Sequence, residues 1–218
     1  TFELSNFNKP IGNWNLSNVV TSRTLFENNS VFNQDISASI QTVGGETYNA
    51  WYFPLNTNLS RTLHGAASFN KSVSNWNVTG SSTLAGAFQS MNSLTDASFA
   101  SQNVNLHGGV SYISWNFSPG VELSNMFNNS NNFEGAGLGT WNVSNVTNFG
   151  TAFANFTDIT TANYDSILIG WSSSLSPSIS GINFGGAKYT GTPGSAPSAS
   201  HVFIEDDLGI TLTDGGPV

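Results

Sequence analysis

The segment Leu138–Phe153, which reads LGTWNVSNVTNFGTAF, contains the sequence pattern from which the fold is predicted. Trp141 is followed two positions later by valine and twelve positions later by phenylalanine, with asparagine, serine and threonine between them. This spacing is typical of a short extended segment, a polar turn and a second packed segment. The segment therefore predicts one structural unit built around a buried tryptophan.

The same spacing occurs five times, which indicates an internal repeat. The tryptophans are Trp14, Trp51, Trp76, Trp115 and Trp141, and the apolar residues twelve positions later are Phe26, Leu63, Phe88, Phe127 and Phe153. A single repeat of this kind cannot bury its own apolar face, so neighbouring repeats must pack together. We therefore predict that these side chains form the core and do not stack on a ligand.

An apolar residue also stands three positions before each tryptophan, which completes an order typical of the leucine-rich-repeat strand. Further along each repeat, apolar residues three and four apart, such as Leu84, Ala87 and Phe88, favour a short helical or 3₁₀ turn. We predict an α/β leucine-rich-repeat-like solenoid. It would have short parallel β-strands, helical or 3₁₀ turns, about five coils and a C-terminal cap.

Repeat length alternates, since successive tryptophans lie 37, 25, 39 and 26 residues apart. Long insertions are therefore predicted at 34–47 and 95–111, inside a repeat region that spans 1–156. Each insertion contains a glycine pair, Gly44-Gly45 or Gly108-Gly109, which favours a tight turn with positive φ. We expect both loops to lie on the same edge of the solenoid.

Residues 157–218 are predicted to form a C-terminal capping region. Tyr164, Ile167, Leu168 and Trp171 have helical spacing, and Thr161 is the predicted N-cap. No comparable segment closes the N-terminal end, and the chain begins with threonine. We therefore expect a fragment of a longer protein, with further coils or a partner at that end.

Residues 7–156 resemble a known family through three runs of sequence. These are WNVSNVTNF at Trp141–Phe149, FNQDIS at Phe32–Ser37 and FNKPIGNWNLSNV at Phe7–Val19. They resemble the repeat of BspA-like leucine-rich-repeat proteins of bacterial surfaces. That resemblance implies an extracellular domain on a cell or virion surface, because similar arrays occur in bacterial adhesins, in surface lipoproteins and in phage virions.

Composition excludes several classes of partner. Five Lys and Arg against thirteen Asp and Glu give a net charge of −8, so the chain cannot neutralise a run of nucleic-acid phosphates. No apolar run reaches the roughly 18 residues that a membrane helix needs, so we predict no membrane insertion. Without cysteine, thiolate metal sites and cysteine nucleophiles are excluded.

Catalytic motifs are also missing from the sequence. The histidines form no His-x-x-x-His pair, and neither the serine elbow nor a glycine-rich nucleotide loop occurs. We therefore predict no catalytic residues, no cofactor and no metal site. One enzymatic alternative stays open, polysaccharide hydrolysis by Asp35 and Asp96, which lie about 10 Å apart if two coils separate them.

Two sets of polar residues are candidates for binding. The first lies in the insertions and comprises Gln34, Asp35, Glu46, Thr47, Asp96, Asn103, Asn105 and His107. The second lies on the outward side of the predicted strands and comprises Asn15, Asn77, Asn116 and Asn142. We favour a structural role for the second set, in which amide ladders hold the coils in register, over recognition of a glycan or protein.

These observations predict a non-enzymatic, surface-displayed module for binding or adhesion. Its partner would be a glycan or protein of a host surface. The alternative is a structural or decoration component of a virion or surface lattice, whose partners are neighbouring subunits. A purified binding module would be monodisperse, whereas lattice material would self-associate.

Overall fold

A computed structural model describes residues 1–55, 58–95 and 99–218. The strands are β1 (Ser39–Val43), β2 (Glu46–Ala50), β3 (Asn103–Asn105), β4 (Ser111–Ile113), β5 (Val121–Glu122), β6 (Val146–Asn148), β7 (Gly181–Asn183) and β8 (Thr211–Thr213). The helices are α1 (Thr161–Ser172) and α2 (Ala196–Val202), with a π-helical turn at Phe203–Asp207 and 3₁₀ turns at His107–Gly109 and Leu138–Thr140. Among the described residues, no helix is both long enough and apolar enough to span a bilayer.

The predicted fold class is wrong, because the described residues do not form a leucine-rich-repeat solenoid. Their strands are short and make four separate two-stranded sheets. The pairs β1–β2 and β3–β4 are antiparallel, whereas β5–β6 and β7–β8 are parallel. None of the tryptophans lies in one of these strands, so the strand predicted at each tryptophan does not form.

The predicted helical turns are replaced by turns that contain left-handed residues. In the first repeat, Thr24 and Asn28 have φ of 55°, ten and fourteen positions after Trp14. The equivalent residues of the next three repeats are also left-handed: Arg61, Gly65, Gly86, Ser90, Asn125 and Asn129. A left-handed residue interrupts a right-handed helix, so the apolar spacing is produced by irregular turns.

Backbone hydrogen bonds join these turns from one repeat to the next. Phe26 donates its N–H to the carbonyl of Thr62 at 2.8 Å, and Leu63 donates to Ala87 at 3.0 Å. Phe88 in turn donates to Met126 at 3.0 Å. In each bond the amide belongs to the earlier repeat. Buried polar groups of the irregular backbone are thereby satisfied without an extended sheet.

The tryptophans form a column in the core, as the sequence predicts. Trp51, Trp76, Trp115 and Trp141 are buried, whereas Trp14 is half-buried. The indole rings of Trp51 and Trp76 are stacked with centroids 6.4 Å apart. The indole nitrogen of Trp76 also donates to the carbonyl of Ile36 at 2.8 Å, and the later tryptophans make equivalent bonds. The column therefore fixes the register of the repeats through both packing and directional bonds.

Asparagine side chains make a second connection between repeats. They belong to Asn8, Asn33 and Asn70, each of which directly follows a phenylalanine. The Oδ1 atom of Asn8 accepts the N–H of Asn33 at 3.0 Å, and Oδ1 of Asn33 accepts the N–H of Asn70 at 3.0 Å. Oδ1 of Asn70 then accepts the N–H of Thr95 at 3.3 Å. This ladder keeps the edges of neighbouring turns aligned.

Helix α1 covers the last repeat and continues the tryptophan column. The predicted helical residues Tyr164, Ile167, Leu168 and Trp171 are all buried. The N-cap is Thr160, whose side chain accepts the N–H of Asn163, one residue before the predicted cap. One hydrophobic cluster extends from Ile11 to Leu212. The domain boundary proposed at residue 156 stays a prediction.

Candidate functional site

Both insertions fold as β-hairpins, and paired glycines form their turns. In hairpin 1, the pairing of β1 with β2 runs from Ser39↔Ala50 to Val43↔Glu46, and Gly44 and Gly45 have φ of 62° and 88°. Two such residues make the turn that suits the twist of a hairpin. In hairpin 2, β3 pairs with β4, and Gly108 and Gly109 have φ of 72° and 73°. The predicted positive-φ turns are therefore confirmed.

The two hairpins contact each other. Oδ1 of Asn49 accepts the N–H of His107 at 2.9 Å, while Nδ2 of Asn49 donates to the carbonyl of His107 at 3.2 Å. Nearby, the rings of Tyr52 and Tyr112 stack with centroids 5.6 Å apart. The two hairpins thus lie side by side, although 58 residues separate Asn49 from His107.

Equivalent tyrosines hold each hairpin to the repeat before it. Tyr48 donates its hydroxyl to the carbonyl of Asn13 at 2.5 Å, and Tyr112 donates to the carbonyl of Asn75 at 2.7 Å. Each tyrosine precedes a tryptophan of the column by three residues, and each acceptor precedes one by a single residue. The hairpins are therefore held in fixed positions on the repeats.

Alkaline pH should weaken the attachment of hairpin 2. Burial raises the pKa of Tyr112, and the nearby Tyr52 raises it further. The folded pKa lies above the unfolded value of about 10, so the stabilisation is complete below about pH 10 and is lost as pH rises further. We expect Tyr112→Phe to lose less stability than the wild type between about pH 9 and about pH 11. Urea unfolding at each pH measures this, and equal losses in both proteins would contradict it.

A groove of about 420 Å³ separates hairpin 1 from the first repeat. The residues that line it are Pro10, Gly12, Asn13, Asp35, Ser37, Ser39 and Gln41. Oδ1 of Asp35 accepts the N–H of Ser37 at 2.9 Å, and Nε2 of Gln41 donates to Oγ of Ser39 at 3.1 Å. The groove therefore presents one carboxylate among amides and hydroxyls, which suits a ligand that both donates and accepts hydrogen bonds.

The predicted loop residues occupy different parts of this region. Glu46 and Thr47 are exposed beside the turn of hairpin 1, and Thr47 shares a hydroxyl hydrogen bond of 2.9 Å with Thr42. Asn103 and Asn105 are exposed on β3. Together with Asp35 in the groove and His107 at the contact between hairpins, these residues lie on one pair of neighbouring hairpins.

Two of the predicted loop residues do not belong to the hairpin surface. Nε2 of Gln34 donates to the carbonyl and to Oδ1 of Asn8, at 3.3 and 2.7 Å, so this side chain links neighbouring repeats. Asp96 lies outside the described residues. The pairing of Asp35 with Asp96 as catalytic acids therefore stays a prediction.

The second predicted set, the outward asparagines, bonds mainly within its own repeats. Oδ1 of Asn15 accepts the N–H of Ser17 at 3.1 Å, and Asn77 and Asn142 make the same bond two residues ahead. Asn116 is half-buried. In the three bonded repeats the amide oxygens stabilise local turns, and the ladder between repeats is made instead by Asn8, Asn33 and Asn70.

Sequence reasoning missed the aliphatic side chains that the hairpins expose. Ile40, Val43 and Ile113 are each about half exposed. Ile40 and Val43 lie in β1 and Ile113 lies in β4. Isoleucine and valine beside a glycine turn indicate a strand, and a two-stranded hairpin has only one face to bury. Aliphatic residues beside a glycine pair could therefore have predicted that each hairpin exposes apolar side chains.

A buried polar cluster around His201 was also missed. The Nε2 atom of His201 lies 3.1 Å from Oδ2 of Asp214, and Nδ1 lies 3.5 Å from Oε2 of Glu205. Tyr164 donates its hydroxyl to Oδ2 of Asp214 at 2.6 Å, and burial followed by this bond raises the pKa of Tyr164. Both ring nitrogens of His201 thus face carboxylates, and the contact with Asp214 links α2 to the residue that follows β8.

A second polar contact involves His64, which is half-buried. Its Nδ1 atom lies 3.2 Å from Oε1 of the buried Glu27, which also pairs with Arg61. In the part of the chain that the structure describes, no group of three or more acidic or histidine side chains is arranged to hold a metal ion.

Comparison with known protein families gave a match over most of the chain. A family model described as "Mycoplasma protein of unknown function, DUF285" matches residues 2–100 and 95–173. No curated protein and no solved structure matched the chain. The assignment to BspA-like leucine-rich-repeat proteins is therefore wrong. The tryptophan and asparagine motifs that suggested it belong here to the irregular turns and local asparagine bonds described above.

Proposed function

The chain belongs to the DUF285 family of Mycoplasma proteins of unknown function. We propose that it is a non-enzymatic binding module displayed outside the cell. Its partner is a glycan or protein of a host surface. The two hairpins provide the binding surface, and the repeats hold them in position. The family description names no activity, so the proposal depends on the geometry of the hairpins.

The observation that carries this proposal is the reciprocal contact between Asn49 and His107. It joins two insertions that occupy equivalent places in two different repeats. Tyr48 and Tyr112 separately attach each hairpin to the repeats. A surface whose parts are held in this way loses little conformational entropy on binding, which favours recognition.

The chemistry of the region fits a neutral polar or mixed surface. Ile40, Val43 and Ile113 offer apolar contact, while the groove beside Asp35 offers hydrogen-bonding groups. The whole chain has only five basic residues, so attraction of anions contributes little. Sugar hydroxyls or a polar protein loop match this combination.

Substitution of the exposed aliphatic residues tests the proposal. We expect the triple variant Ile40→Thr, Val43→Thr and Ile113→Thr to bind intact host cells and immobilised glycans at least about tenfold more weakly, which corresponds to about 1.4 kcal/mol. Threonine preserves strand propensity while it removes apolar area. Binding is measured by flow cytometry and on the glycan surface, with thermal unfolding as the check on folding.

A matched triple variant controls for the loss of exposed apolar area elsewhere. Val20→Thr, Ile169→Thr and Val202→Thr alter side chains whose exposed fractions, 45 to 57%, bracket those of the hairpin residues. This variant should bind as the wild type does. Equal binding by both triple variants would contradict the assignment of the hairpins as the binding surface.

Assembly into a surface lattice is the second candidate function, and one observation favours it. Trp14 is half-buried, whereas Trp51, Trp76, Trp115 and Trp141 are buried, so the first repeat presents an apolar surface. Self-association measured by analytical ultracentrifugation would support assembly, and a monodisperse chain that binds host cells would support the binding module.

A further inference from the structure

The first residues of the chain pack as the end of a repeat. Phe2 donates its N–H to the carbonyl of Leu25 at 2.7 Å, and Leu4 donates to Glu27 at 2.9 Å. These bonds match those that Phe26 and Asn28 donate to the following repeat. Leu4 has φ of 53°, close to the 55° of Asn28. Phe2 and Leu4 thus correspond to Phe26 and Asn28, which follow Trp14 by twelve and fourteen residues.

The aromatic rings at the N-terminal end also pack like those of the first repeat. Phe2 stacks on Phe7 with centroids 3.9 Å apart, and Phe26 stacks on Phe32 at 3.8 Å. Phe2 also stacks on Phe26 at 5.7 Å with an interplanar angle of 10°. The segment Thr1–Phe7 therefore reproduces the second half of a repeat in both backbone and side-chain packing.

The surface that receives the first half of a repeat remains open beside Trp14. The ring of Trp14 stacks on Trp51 at 6.5 Å on one side, but no tryptophan among the described residues stacks on its other side. Trp51 donates its indole N–H to the carbonyl of Ile11 at 2.8 Å, whereas the indole N–H of Trp14 has no acceptor within the described residues.

Two backbone carbonyls are open at the same place. In the next repeat, the carbonyls of Asn58 and Ser60 accept N–H groups from the first repeat at 3.1 Å. The equivalent carbonyls of Thr21 and Arg23 accept none from residues 1–55, 58–95 and 99–218. A partner that continues the pattern supplies two N–H groups at these carbonyls and one carbonyl to the indole of Trp14.

An apolar cleft of about 250 Å³ connects these groups. The residues that line it are Thr1, Trp14, Leu16, Val19, Thr21, Ser22, Arg23 and Leu25. Trp14 and Leu25 are half-buried in this cleft, whereas the equivalent residues of the next repeat, Trp51 and Thr62, are buried. The open carbonyls of Thr21 and Arg23 thus continue the hydrogen-bonding pattern found at the interfaces between the first four repeats.

We propose that this cleft binds the tryptophan-bearing segment of another repeat of the same kind, oriented like the chain's own repeats. The tryptophan of that segment stacks on Trp14. Its backbone donates to Thr21 and Arg23 and accepts the indole N–H of Trp14. The interface is separate from the two hairpins, so this inference does not depend on the proposed binding function.

A fusion within the full chain tests this inference. Residues 138–151 are copied ahead of Thr1, so that the added tryptophan stands twelve positions before Phe2. We expect the melting temperature to rise by about 5 °C and the hydrogen exchange of the Trp14 indole N–H to slow at least about tenfold. Calorimetry and NMR measure the two effects.

Two controls make the test specific. The first carries one extra glycine between the added segment and Thr1, which shifts the register, and the second carries Trp141→Ala in the added copy only. Both should melt within about 1 °C of the unextended chain. If the fusion and the controls shift equally, or if the fusion leaves Trp14 exchange unchanged, the inference is overturned. Host-cell binding should be the same in all four proteins.

Discussion

Trp76→Ala is expected to lower the free energy of unfolding by about 4 kcal/mol. The indole is 1% exposed and packs between Trp51, with centroids 6.4 Å apart, and the rings of Phe53 and Phe88, at 5.5 and 6.0 Å. Truncation removes this contact area and leaves a cavity. It also leaves the carbonyl of Ile36 without its donor. Urea unfolding followed by circular dichroism measures the loss.

Two further variants separate packing from hydrogen bonding in the tryptophan column. Trp76→Phe keeps an aromatic ring but removes the bond to Ile36, and it should lose roughly half as much as the alanine variant. Trp14→Ala, at a half-buried position, should lose less than about 2 kcal/mol. Equal losses at Trp14 and Trp76 would show that the column does not bear the stability of the repeats.

The second large effect is expected from one methyl group in helix α1. A Cβ atom placed on Gly170 overlaps the carbonyl oxygen of Gly139, which belongs to the backbone of the neighbouring turn and cannot rotate away. Alanine gains about 1 kcal/mol of helix propensity over glycine. The overlap costs about 3 kcal/mol, because the helix must move from the Leu138–Thr140 turn. We therefore expect Gly170→Ala to lower stability by about 2 kcal/mol.

The movement of α1 should also be visible locally. Trp171 donates its indole N–H to the carbonyl of Leu138 at 2.8 Å, so displacement of the helix should lengthen this bond and speed the exchange of that proton. Ile169→Ala, at an exposed position of the same helix, should change stability by less than about 1 kcal/mol. A Gly170→Ala protein more stable than the wild type would contradict the close packing of helix and turn.

The core was predictable from sequence because regularly spaced aromatic residues are expected to be buried whichever backbone conformation the repeat adopts. The buried column of Trp51, Trp76 and Trp141 follows from the repeat alone. The backbone was not predictable to the same degree. Thr24 and Arg61 adopt left-handed φ although neither residue type favours it, and the apolar spacing around them fits a helical turn equally well. The leucine-rich-repeat prediction failed at these residues.

The hairpins were partly predictable. Glycine pairs indicated their turns, but the contact between Asn49 and His107 depends on how two distant repeats align. Trp51 and Trp115, which follow the hairpins, have φ of 50° and 51°. For a bulky residue this conformation costs about 1–2 kcal/mol, and it returns the indole to the column after the hairpin. The local sequence does not indicate this conformation, because its energetic cost is offset by burial of the indole ring, which depends on packing between repeats.

Hydrogen exchange of the amides that join one repeat to the next measures whether the repeats pack in the described register, which determines where both hairpins lie. The relevant amides are those of Phe26, Leu63, Phe88 and Phe127, which donate to the next repeat at 2.8 to 3.0 Å. We predict that all four exchange at least about a thousandfold more slowly than unstructured amides. Exchange at the rate of unstructured amides in the folded protein would contradict the packing of each repeat against the next.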